Sequence, residues 1–82
     1  MNKEEIFEII TRHTREVIPE LEGHRFQSND ALKDLGANSI DRSEITMMTL
    51  ESLSLNVPLI EMAGVSNIGE LADVLYEKSQ ST

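Results

Sequence analysis

The chain has 82 residues, a formal net charge of −8 from 15 acidic and 7 basic residues, 39% hydrophobic residues, and neither cysteine nor tryptophan. That length holds one small domain (1–82) with a modest Ile, Leu, Val and Met core, too small for a deep enclosed active site, and the missing thiols exclude disulfides, thiolate zinc sites and cysteine catalysis. The acidic surface repels phosphate backbones and anionic lipid, which argues against nucleic acid and membrane as partners and for proteins bearing Arg and Lys patches.

The start, Met1-Asn2-Lys3-Glu4-Glu5, lacks the basic region and apolar run of a signal peptide. No apolar run reaches membrane-spanning length, so the reading is a cytoplasmic, monomeric protein. Asn2 and Glu5 have capping-box spacing and open an amphipathic helix. Ile6, Ile10, Val17 and Leu21 recur at helical spacing, with Phe7 and Thr14 in the stripe. Pro19 ends this helix near Val17 or Ile18.

Glu20 to Asn38 is a long connection punctuated by Gly23, Asn29, Asp30, Gly36 and Asn38. A loop of this length in a small domain packs or works. Phe26, Leu32 and Leu35 are its expected anchors, and Ser28 to Leu35 is read as one short helical turn capped by Ser28 or Asn29. The second main helix is expected to start at Ser39 or Ile40 and to run to about Leu53. Asp41 and Glu44 lie in its first turn, where the helix dipole favours acids. Ile40, Met47 and Leu50, with Ile45, Met48 and Leu53, are its expected buried face. Ser54 to Pro58 breaks the pattern. Leu59 to Met62 is a further short turn closed by Gly64. The last helix follows Val65, capped by Ser66 or Asn67 with Glu70 at box spacing, and buries Ile68, Leu71, Ala72, Val74 and Leu75. The tail from Lys78 to Thr82 is polar and expected to fray. No strand alternation or repeat is present. The fold class is therefore all-α: three longer helices plus one short, with a long loop between the first two.

His13 and His24 have no second ligand at metal spacing, and both read as exposed polar residues. The paired carboxylates, such as Asp41 with Glu44, sit at helix starts where acids stabilise for structural reasons alone. No metal site and no catalytic residue follow. Ser39 remains. A serine after Gly36 and before a helix is either a helix cap or an exposed hydroxyl that another protein must reach.

The segment Leu35-Gly36-Ala37-Asn38-Ser39-Ile40-Asp41 resembles the prosthetic-group site of acyl carrier proteins, which usually reads Leu-Gly-x-Asp-Ser-Leu ahead of a helix bearing acidic residues. The resemblance covers nearly the whole chain, from the first amphipathic helix and anchored loop to the Val57-Pro58 break and the Ser66-Asn67-Ile68-Gly69-Glu70-Leu71 start of the last helix. It implies a small acyl-carrier bundle in which Ser39 accepts 4′-phosphopantetheine from coenzyme A through a separate Mg²⁺-dependent phosphopantetheinyl transferase. The arm's thiol then carries an acyl group as a thioester, and the protein itself catalyses nothing. Asn38 stands where the family usually has Asp, Ile40 where it has Leu, and Arg42 makes the second helix less acidic.

The run Gly-Ala-Asn-Ser-Ile-Asp-Arg-Ser-Glu-Ile is similar to the discrete carriers of trans-acyltransferase polyketide clusters. In particular it resembles the carrier that accompanies a 3-hydroxy-3-methylglutaryl (HMG)-synthase-like enzyme in β-branching cassettes of the bacillaene type. That implies loading with malonyl by an acyltransferase, decarboxylation to acetyl by a ketosynthase-like enzyme, and donation to a β-keto chain through the HMG-synthase-like enzyme. Asp41, Arg42, Glu44, Met48 and Glu51 are the expected recognition residues. Two alternatives stand beside this reading: a fatty-acid or peptidyl carrier, and an unmodified carrier-like interaction module.

Overall fold

The structure, a computed structural model, describes residues 1–80 of the chain. Three α-helices carry it, α1 over Lys3–Val17, α2 over Ser39–Ser52 and α3 over Ile68–Gln80, with short 3-10 turns at Pro19–Leu21 and Leu59–Met62. Among the described residues all regular structure is helical, as the patterning predicts. No helix among them is long and apolar enough to cross a membrane.

Asn2 caps α1. Its side chain accepts the Glu5 N–H at 2.8 Å, and the Glu5 carboxylate accepts the Asn2 N–H at 3.1 Å, a reciprocal box. Ile18, pushed out of the helical region by Pro19, ends the helix. Both α2 and α3 pack on α1. Ile6 and Ile10 of α1 meet Ile45 of α2 and Ile68 and Leu75 of α3 in a core from which all five are fully excluded from solvent. Thr14 and Thr49 lie equally deep. Their hydroxyls donate back to the carbonyls of Ile10 and Ile45 at 2.7 and 2.8 Å, so neither buries an unpaired group.

Two expectations about faces are corrected. His13 is buried, not exposed. It stands seven residues after Ile6 and three after Ile10, on the inner stripe of α1. Its Nδ1 meets Glu16 at 2.6 Å and its Nε2 meets the Ser52 hydroxyl at 2.7 Å, which ties α1 to the end of α2. Ile40 and Met47, expected in the core, are 74% and 52% exposed. The buried row of α2 is Ile45, Thr49 and Leu50. A threonine that bonds its own helix backbone takes the place given to a methionine.

The long connection is held from both sides. One helical turn forms at its end, starting at Ala31 rather than at Ser28 or Asn29. It closes with Gly36 N–H on the Lys33 carbonyl at 3.3 Å and Ala37 N–H on the Leu32 carbonyl at 3.0 Å. Gly36 has φ +99°, the left-handed closing position that glycine fills without a steric cost. The buried anchors are Leu32 and Ala37; Phe26 packs against the core, and Leu35 is only half-buried. Arg15 of α1 stacks its guanidinium over Phe26, 4.8 Å from the ring centre, and donates to the His24 carbonyl at 3.2 Å. Asp30 accepts the Gln27 N–H at 2.8 Å and the His24 ring at 3.0 Å. These two donors, the Gln27 amide first, hold the Asp30 carboxyl below its usual range.

The start of α3 completes the arrangement. The Ile68 and Gly69 N–H groups, which a helix start leaves without internal partners, donate to the loop carbonyls of Asp30 and Ser28 at 2.9 and 2.8 Å. The Asn67 side chain takes the Glu70 N–H at 2.8 Å, and Glu70 reaches back to the Ser66 N–H at 2.6 Å. The tail stays helical through Gln80, with Lys78 paired to Glu61. The fraying expected of Ser81 and Thr82 lies outside the described residues.

Gly69 sits where the loop backbone crosses α3. A Cβ there would stand 2.9 Å from the Ser28 carbonyl oxygen. Gly69→Ala is therefore expected to lower stability by about 1–3 kcal/mol, read from urea unfolding monitored by circular dichroism; an unchanged midpoint would show that the loop does not bear on α3.

Candidate functional site

Ser39 is the first residue of α2, and its cap is the residue before it. The Asn38 side-chain oxygen accepts the Asp41 N–H at 2.8 Å, and the Asp41 carboxylate accepts the Asn38 N–H at 3.2 Å. The helix thus starts without any help from the serine hydroxyl, which corrects the cap reading of Ser39. That hydroxyl has no hydrogen-bond partner among the described residues, and Ser39 is exposed. The Gly36 turn buries Ala37 and directs the chain outward at Asn38, which is how a short polar residue reaches the surface directly after a core residue.

A cleft of about 740 Å³ opens beside Ser39. Ser39, Arg42, Ser43 and Thr46 of α2 form one wall. Leu59 and Met62 of the second short turn form another, and Ile68 and Leu71 of α3 lie at its base. The cleft exists because α2 and α3 both lean on α1 and leave the space between them to the short turn and loop. Arg42 is half-buried there and donates to the Ala37 carbonyl at 2.7 Å.

The five expected recognition residues divide. Asp41 is engaged in the cap, Arg42 is half-buried against the cleft, and Met48 is half-buried. Glu44 and Glu51 are exposed. They share their face with Ile40 and Met47, because positions 40, 44, 47 and 51 fall in one helical row. Sequence reasoning missed Ile40 and Met47 as surface residues. The available signal was the threonine at 49, four residues after Ile45, which completes the inner face without them.

No histidine lines the cleft. His13 bonds Ser52, about 20 Å along α2 from Ser39 at 1.5 Å per residue, and His24 is engaged with Asp30. Ser39 therefore has no imidazole base beside it, which a hydrolytic serine would need.

No family model matches the chain. Over 81 residues, 99% of this chain and 99% of the relative, it is 58% identical to the polyketide biosynthesis acyl-carrier-protein AcpK of Bacillus subtilis (strain 168). The chain belongs to the acyl carrier proteins. A chain in the crystal structure of the curacin-pathway HMG synthase in complex with its acetyl-donor carrier is also similar. It shares 52% identity and a TM-score of 0.92, covering 95% of this carrier and all of that chain. Both similar proteins are acyl carriers, one named for polyketide biosynthesis and the other an acetyl donor seen with an HMG synthase.

The cap assigned to Asn38 separates helix start from hydroxyl in this carrier. Asn38→Ala is expected to cost about 1 kcal/mol, while Asn38→Asp, an equally good cap, leaves stability within about 0.5 kcal/mol. Thermal unfolding of the two variants checks the pair; equal losses would show that the carboxamide has a role beyond capping.

Proposed function

We propose that this carrier bears 4′-phosphopantetheine on Ser39 and holds a malonyl or acetyl unit on it as a thioester, for delivery in β-branching of a polyketide. The observation that carries the reading is the exposed, unbonded Ser39 hydroxyl on a helix start whose cap is supplied by Asn38. A phosphodiester fits there. The helix dipole favours an anion at this end, and Arg42 lines the same cleft as Ser39. The attached group supplies a thiol to a chain without cysteine. The chain's own residues do the rest: Asn38 and Asp41 fix the helix start, Gly36 and Ala37 set its position, and Ser39 offers the point of attachment.

The partners follow from the carrier cycle. A phosphopantetheinyl transferase modifies Ser39 in the cytoplasm. A malonyl-transferring acyltransferase loads the thiol, a decarboxylating ketosynthase-like enzyme converts malonyl to acetyl, and an HMG-synthase-like enzyme receives it. The complex of the similar carrier with an HMG synthase supports this last partner. The row Ile40, Glu44, Met47 and Glu51 is the docking face: two exposed apolar residues alternate with two acids next to Ser39. Apolar contacts give such a surface affinity, and its charges give orientation and encounter rate.

Incubation of the apo-protein with coenzyme A, Mg²⁺ and a broad-specificity transferase is expected to add one phosphopantetheine by intact mass, and none to Ser39→Ala. Failure of the wild type to gain mass, or gain by the variant, sinks the reading.

For the docking face, Glu44→Lys/Glu51→Lys is expected to lower kcat/KM of malonyl loading roughly tenfold at low salt, with a smaller loss as ionic strength rises. Met47→Ala lowers it with little salt dependence. Loading rates that match the wild type at every salt concentration would place recognition on another surface.

A further inference from the structure

Arg42 stands out among the cations of this acidic chain. It lies three residues after Ser39, on the same face of α2, and the two line one wall of the same cleft. Its guanidinium is tied to the Ala37 carbonyl at 2.7 Å. Ala37 is itself fixed, 2% exposed and bonded through its N–H to Leu32. The cation is therefore held against rigid backbone two residues ahead of Ser39, with the rest of its N–H donors free. No carboxylate pairs with it among the described residues. The nearest acid in sequence, Asp41, spends its carboxylate on the Asn38 N–H. The N–H groups of Ser39 and Ile40 also have no partner among the described residues.

We propose that Arg42 is the counter-cation of the phosphodiester on Ser39, and that this pairing turns the first bonds of the arm toward the cleft rather than into solvent. The inference rests on the attachment reading above and goes beyond it by assigning the phosphate a protein partner. One guanidinium matches the single negative charge of a phosphodiester, and the match is geometric as well as electrostatic, since planar N–H donors suit phosphate oxygens. The terminal carboxylate of a malonyl thioester is the other anion this carrier presents. It lies at the far end of the arm, whereas Arg42 is tethered at the near end, so the phosphate is the partner. Arg42 is a positioning residue: it orders the arm and touches no reacting atom.

The apo, holo and malonyl forms of the ¹⁵N-labelled protein test this. On conversion from apo to holo, the Arg42 Nε–H resonance is expected to shift and its exchange with water to slow several-fold, with no further change on malonylation. The ³¹P resonance of the holo-protein is expected to move in Arg42→Gln and to stay near the wild-type position in Arg42→Lys. Raising ionic strength brings the wild-type ³¹P signal toward that of Arg42→Gln. A purely structural role at the Ala37 carbonyl would alter the variant's folding stability equally in apo and holo forms and leave the ³¹P signal in place. An Arg42 resonance that ignores loading, or responds only to malonylation, overturns the proposal. Because intact mass first establishes that the arm is attached, that result leaves the attachment reading standing. The wild-type comparison needs no variant to fold.

Discussion

Two hydrogen bonds between a loop and a helix start hold this small fold in register. The Ser28 and Asp30 carbonyls have no ladder or helix to enter, and the Gly69 and Ile68 amides open α3 with no internal acceptor. Each set satisfies the other. The bonds require backbones to cross within contact distance, which only glycine at 69 permits. With that end of the loop fixed on α3, and Arg15 of α1 stacked on Phe26, the Gly36 turn has one place to close. The position of Ser39 is thus determined by contacts made nine or more residues away. A loop that looks like a connector behaves as a structural element.

Asn38 and Ser39 divide two tasks, either of which a serine could have performed. Ser is as good a cap as Asn, but a capping serine spends its hydroxyl on the backbone. Placing the carboxamide at the cap and the serine one residue further leaves the hydroxyl outward and unbonded. The substitution of Asn for the family's usual Asp leaves that division intact, because both side chains accept the same N–H. What changes is the charge beside Ser39. With a neutral cap and a neighbouring Arg42, the helix start is less acidic than the rest of the surface.

The sequence made the elements legible where side-chain chemistry acts locally. The Asn2–Glu5 and Asn67–Glu70 spacings and the Pro19 stop located helix ends to within a residue, because caps and prolines act on the nearest backbone. Ser39 was legible through its flanking residues across the family resemblance. The faces of α2 were harder to read. Its inner row depends on a threonine that becomes apolar in effect once its hydroxyl bonds the Ile45 carbonyl, a transaction invisible to a count of hydrophobic residues. His13 was misjudged for the complementary reason: its partners, Glu16 and Ser52, are polar, and one of them is 39 residues away. The loop's docking on α3 involves only backbone atoms at 28, 30 and 68, which carry no residue signature apart from Gly69.

The bond from His13 to Ser52 has a mechanical meaning as well. It clamps the far end of α2 to α1, while the near end is held by the loop turn. With Arg42 bonded to the buried Ala37 at one end, His13 on Ser52 at the other, and Ile45 and Thr49 packed between, α2 is held along its whole length of about 20 Å. Ser39 therefore keeps a fixed height and bearing relative to the row of side chains that follows it on the helix.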